Sequence, residues 1–164
     1  MVATDAGLAR PHLYRFFKNK AELIAAVVAV ETSEINARRR QQIAELHSFA
    51  DKLVRSLELA VELVYSDDFW SSLITPGSVP YTAYAASSAP EILAANTDYW
   101  TPMLRAAEDS GELRPSLDHQ KVMTWLLGIQ VMFMERSEIF PTIADVGYYA
   151  RTFVLPALVV GTDG

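Results

Sequence analysis

The 164 residues, 51% of them apolar and 21% charged, supply a core for one domain, or one domain with a small appendage, and exclude a disordered chain. With no cysteine, disulfide frameworks, thiolate metal sites and cysteine nucleophiles are excluded. The net charge of −6 argues by itself against nucleic acid, yet Arg10, Arg15, Lys18 and Lys20 against Asp5 make residues 1–20 +3 and leave −9 for the remainder, so a basic head on an acidic body stands beside ordinary charge scatter as a reading.

Taken in chain order, Val2 to Ala6 reads as the end of a short helix, and Gly7 permits the left-handed backbone of a tight turn. Leu8 anchors that turn. Pro11 sits near the first turn of a second short helix, where its missing N–H costs little. Leu13 and Phe17, four apart, share that helix's inner face, which leaves Arg10, His12, Tyr14 and Arg15 facing outward. This is the second half of a helix-turn-helix. Lys20 opens the helix that follows.

From Phe49 the positions Phe49, Leu53, Leu57, Ala60 and Val64 keep to one helical face. Asp67 to Ser88 is less regular: a short helix around Asp68 to Leu73 is expected, then a loop with Pro76, Gly77 and Pro80 among Phe69, Trp70, Tyr81 and Tyr84. Ser88 and Glu91 read as a capping-box pair around Pro90. In the helix beyond, Ile92, Asn96, Tyr99 and Met103 form one stripe beside Leu93, Trp100, Leu104 and Ala107, and Gly111 marks its end. Asp118 caps a helix expected to run to about Ile139, and Thr142 with Asp145 caps a last helix expected to reach about Val160. No segment alternates with period two between turn residues, so the fold class is all-α.

Between Val122 and Met134, ten of thirteen residues are apolar, more than one helical face holds. Phe153, Val154, Leu155, Leu158, Val159 and Val160 crowd the closing helix in the same way. Either these helices sit at the centre of the fold or a second subunit covers them. The reading adopted is a homodimer built from about Asp118 to Val160 as a four-helix bundle, with Leu126, Ile129, Phe133, Phe153 and Leu158 at the interface.

The pattern A-G-L-x-x-x-x-L-Y-x-x-F-x-x-K-x-x-L from Ala6 to Leu23 resembles the DNA-reading end of TetR-type transcriptional regulators, with Leu13-Tyr14, Phe17 and Lys20 its most telling positions. The likeness covers about 27 residues, from Val2 to Val28, and beyond them is one of helical architecture alone. It implies a homodimer whose body binds a small molecule and whose ligand changes the separation of two DNA-reading heads. It also implies roles in the head. Arg10 and Pro11 would approach base edges, His12 and Tyr14 would bind phosphates, Arg15 and Phe16 would lie along the groove, and Lys20 would neutralise a phosphate. Tyr14 and Phe16 covering a small core is the alternative. Ala9 departs from a common polar cap. Such regulators carry a further helix before the position of Val2, where only Met1 stands here, so operator binding in this form is expected to be weak or absent.

The expected division is a partial helix-turn-helix with its linking helix over 1–40 and a ligand-sensing and dimerisation domain over 41–164. A mainly apolar pocket is expected between the helix from Phe49 to Ser66, the loop around Tyr81 and the helix from Glu91 to Ser110. Trp70, Tyr81, Tyr84, Asn96, Trp100, Met103, Trp125 and Phe133 are its candidate lining, with Asn96 or Thr97 as polar handles. That lining suits a small apolar or aromatic effector. No catalytic residue, metal or cofactor is expected. His12, His47 and His119 form no i, i+4 metal pair, and no glycine-rich phosphate loop or nucleophile elbow occurs. No stretch nears the ~18 apolar residues of a membrane span, and no signal peptide is legible, so a cytoplasmic protein is expected. A structural helical dimer with neither ligand nor DNA remains open beside the regulator.

Overall fold

The computed structural model describes residues 19–68, 70 and 89–161. The expectations for Gly7, Leu8, Leu13, Phe17 and most of the segment from Phe69 to Ser88 therefore lie outside the described residues. The described chain is all-helical: α1 (Lys20–Gln42), α2 (Phe49–Tyr65), α3 (Pro90–Asp109), α4 (His119–Glu135), α5 (Ile143–Tyr149), a π-helical turn (Ala150–Val154) and α6 (Leu155–Leu158). No strand occurs among these residues; a single isolated antiparallel bridge joins Leu113 to Val159.

Local chemistry sets the helix starts. Asn19 caps α1, its side-chain oxygen accepting from the Glu22 N–H at 2.9 Å, and Ser48 caps α2 through the Asp51 N–H at 3.0 Å. Asp118 caps α4 through the N–H groups of Gln120 and Lys121. Thr142 and Asp145 form a reciprocal capping box at α5. Thr142→Ala removes that box's hydroxyl and is expected to cost about 1 kcal/mol, read as a fall of roughly 2–4 °C in a thermal melt at fixed protein concentration. The start of α3 differs from expectation. Ala89 is its N-cap and makes no side-chain bond, Pro90 in the first turn has no N–H to satisfy, and Ser88 of the expected Ser88–Glu91 box lies outside the described residues. Its end is as read: Gly111, at φ +74°, takes the left-handed turn just past Ser110.

α2 is the central helix, packed against α1, α4, α5, the π-helical turn and α6. Leu53, Val54, Leu57, Leu59, Ala60, Val61 and Val64 are all buried along it. Arg55, Glu58 and Glu62 line its polar side as a surface ion network. α3 lies along α1 and also meets α4, so α1 belongs to the packed unit rather than hanging from it.

The two apolar C-terminal elements are shorter than the sequence suggested. α4 stops at Glu135, not Ile139; Arg136 turns to pair with Glu138, and Phe140 folds back edge-on between Phe133 and Tyr149 at 4.8 and 5.0 Å. The closing helix is not continuous to Val160. Pro156 has no N–H, and its ring would strike the carbonyl four residues back, so the backbone widens, with the Leu155 N–H bonding to the Ala150 carbonyl. Val159 is extended, and Val160 N–H reaches the Glu112 carbonyl at 3.0 Å while Arg114 N–H reaches that of Leu158 at 2.8 Å.

Candidate functional site

α1 puts Val28, Ile35, Asn36, Arg39 and Ile43 on its buried side. Arg39 is 1% exposed. Its Nη1 donates to Asn36 Oδ1 and its Nη2 to Gln130 Oε1 on α4, each at 2.8 Å. The guanidinium lies 4.1 Å above the centre of the Tyr99 ring and 5.3 Å from that of Trp100, both on α3. Asn36 Nδ2 in turn donates to the Ala95 carbonyl at 3.1 Å. Tyr99 Oη shares a 2.6 Å hydrogen bond with Ser56 Oγ on α2. One buried cation thus stands where α1, α3 and α4 meet, with α2 one hydrogen bond away.

Among the described residues no carboxylate faces Arg39; its acceptors are two neutral amides and an aromatic face. Burial pushes its pKa down from the ordinary arginine range, while Tyr99 acts in the other direction. Arg39 Nε and Trp100 Nε1 are buried without an acceptor. A buried cation held only by neutral groups costs several kcal/mol, and such a cost marks the residue as a candidate for function.

A second feature lies one turn further along α1. Pro102 interrupts the hydrogen-bond ladder of α3 and leaves the Asp98 carbonyl without its helical donor. Arg40 Nη2 fills the gap at 3.2 Å. Beside this bond a half-open cleft of about 400 Å³ lies between the end of α1, the start of α2 and the second half of α3. Ile43, Phe49, Tyr99, Pro102, Met103 and Ala107 form its apolar floor and walls, and Arg40, His47, Lys52 and Glu112 its polar rim.

Among the described residues, the sequence-derived ligand-binding residues do not share one cleft. Arg10, Pro11, His12, Tyr14, Arg15, Phe16, Tyr81 and Tyr84 lie outside the described residues, and Lys20 opens α1. Trp100 and Phe133 are core residues, 0% and 1% exposed. Asn96 is buried with its amide nitrogen bonded to the Ile92 carbonyl, and Thr97 is bonded to the Leu93 carbonyl and to Met123 Sδ. Trp70 packs beside Val28 and Ile92. Trp125, 40% exposed, faces out of the protomer. Of the described residues in this set, Met103 alone lines the cleft.

The proposed interface residues also divide. Leu126, Phe133 and Leu158 are spent inside the protomer's own core, since the register of α4 and α6 turns them inward. Ile129 is half-buried and Phe153 is 60% exposed, with Met132, Tyr148 and Val160 also outward. Sequence reasoning missed Arg39 because it sits in Arg38-Arg39-Arg40, which reads as a solvated basic turn. Its signal was periodicity: Ile35, Arg39 and Ile43 step by four along one stripe.

Among the described residues no helix is long and apolar enough to cross a membrane, and no group of three metal-ligating side chains occurs. No protein-family model matches the chain, and no curated protein sequence is significantly similar to it. Two solved structures share its fold. One is the transcriptional regulator FadR from Bacillus subtilis in complex with stearoyl-CoA (TM-score 0.64, 20% identity, covering 98% of this chain and 86% of that one). The other is the fatty acid degradation regulator FadR from Bacillus halodurans (TM-score 0.65, 17% identity, covering 99% and 83%). At these identities the likeness is one of fold: this chain has the all-helical fold of those transcriptional regulators.

Proposed function

We propose that the chain is an effector-responsive transcriptional regulator of the TetR type, and not an enzyme. The observation that supports a regulator is the fold shared with two regulators over nearly the whole chain, one of them bound to stearoyl-CoA; the TetR type rests on the residue pattern alone. The residue pattern from Ala6 to Leu23 supports the DNA-reading head. Residues 1–40 act as head and lever, with Arg10, Pro11, His12, Tyr14, Arg15, Phe16 and Lys20 toward DNA, and residues 41–164 as sensing and dimerisation body. The effector is an apolar molecule of the long-chain acyl class. The homodimer forms through the outer surfaces of α4 and the C-terminal segment, where Trp125, Met132, Tyr148 and Phe153 remain exposed.

Arg39 supplies the mechanical link. Its bond to Gln130 ties the lever helix α1 to α4 on the dimerisation side, and the Tyr99 ring, with the Asn36 bond to the Ala95 carbonyl, ties it to α3 in the body. An effector that binds one arrangement of α3 and α4 more tightly than another thereby biases the position of α1. The test is a titration against promoter DNA of the protein's own gene at fixed salt, without and with stearoyl-CoA. The proposal expects affinities that differ about fivefold or more. Equal measurable affinities contradict it.

A further inference from the structure

The cleft at the distal end of α1 borders the Arg39 centre, sharing the Tyr99 ring with it, and has a chemistry of its own. Its floor is apolar and continuous: Ile43, Phe49, Met103 and Ala107, with the Tyr99 ring at one side. Its rim carries Arg40 and Lys52, and neither makes an ion pair among the described residues. The single carboxylate in the lining, Glu112, is already engaged. Its Oε2 accepts from the Phe49 N–H at 2.8 Å and its Oε1 from the Ser110 hydroxyl at 3.0 Å, so it serves as a cap for the start of α2 rather than as a partner for the rim cations. Among the described residues Arg40 makes one hydrogen bond, to the Asp98 carbonyl, and its guanidinium lies 5.7 Å from the centre of the Tyr99 ring, which together hold it at the cleft edge with donors to spare.

From this arrangement we infer that the cleft is a binding site for an anionic amphiphile, a molecule with an aliphatic chain ending in a carboxylate or a phosphate. The chain lies along Ile43, Phe49, Met103 and Ala107, and the anionic end sits between Arg40 and Lys52. Pro102 contributes to the site by freeing the carbonyl that orients Arg40. The inference does not depend on the DNA-reading part of the proposed function, and it adds a place and a charge to the effector class named there.

The experiment is a calorimetric titration of the whole chain with decanoate, decyl phosphate and decanol, each below its aggregation concentration. The first two distinguish a carboxylate from a phosphate source, and decanol isolates the chain. Both anions should bind more tightly than decanol, and should shift the Met103 methyl resonance, assigned by its loss in Met103→Leu. In the double variant Arg40→Gln/Lys52→Gln, affinity for the anions should fall about tenfold or more, because two charge-assisted bonds are lost, while decanol binding stays unchanged. Ala106→Trp, which fills the cleft from an exposed wall position, should abolish all three. Anions that bind no better than decanol, or that bind the double variant as they bind the unaltered chain, overturn the inference. Failure of stearoyl-CoA to alter DNA affinity overturns the proposed function instead, and leaves these titrations to stand or fall alone.

Discussion

Arg39→Ala will destabilise the protein by about 3 kcal/mol, and Arg39→Met will recover most of that loss without recovering regulation. Alanine leaves a void in the core and strips Asn36 Oδ1 and Gln130 Oε1 of their donors. It also removes the cation from the Tyr99 face. Methionine fills the space and takes away a buried charge that no carboxylate among the described residues balances, which offsets the donors that Asn36 Oδ1 and Gln130 Oε1 lose in this variant too. A melt at fixed protein concentration should therefore show alanine lower by roughly 6–12 °C and methionine close to the unaltered chain. The methionine variant should still bind stearoyl-CoA, yet its DNA affinity should no longer respond to it. A methionine variant that responds normally would mean that Arg39 is a packing residue.

Leu126→Arg and Phe153→Arg should have opposite consequences, although the sequence places both residues in apolar helices. Leu126 is 0% exposed in the protomer core, so an arginine there buries an unpaired charge and should leave no folded protein, a loss of more than about 4 kcal/mol. Phe153 is 60% exposed and its ring touches Tyr149 at 5.4 Å on the outer side of the C-terminal segment. Arginine there should leave helicity and melting cooperativity intact and convert a dimer into a monomer. Light scattering at micromolar concentration checks this directly. A Phe153→Arg dimer of unaltered stability would move the interface elsewhere.

The helices were legible where their ends carry chemistry. Asp118, Thr142 with Asp145, and Gly111 mark boundaries that the structure keeps. The end of the last helix was misread because Pro156, whose missing N–H decides the backbone, did not enter the reading of its apolar residues. Pro102 escaped for the same reason, and with it the cleft. Residue type alone could not separate Leu126 and Phe133, which face inward, from Trp125 and Met132, which face out, because α4 is apolar on both sides. The Arg39 centre was hidden further. Its partners Asn36, Tyr99 and Gln130 come from three helices, and a hydrogen bond between residues 91 apart leaves no local pattern.

The measurement closest to the central claim is a spin-label distance across the dimer. The chain has no cysteine, so Val30→Cys, at a 59% exposed position on α1, gives one labelled site per protomer. Adding stearoyl-CoA to saturation should shift the distance between the two labels by about 2 Å or more, the scale of helix movement in such switches. The same addition to the Val30→Cys/Arg39→Met protein should bind and shift nothing. Saturated protein with an unchanged distance distribution, or no pair distance at all, would contradict the account of a dimeric regulator whose effector moves α1.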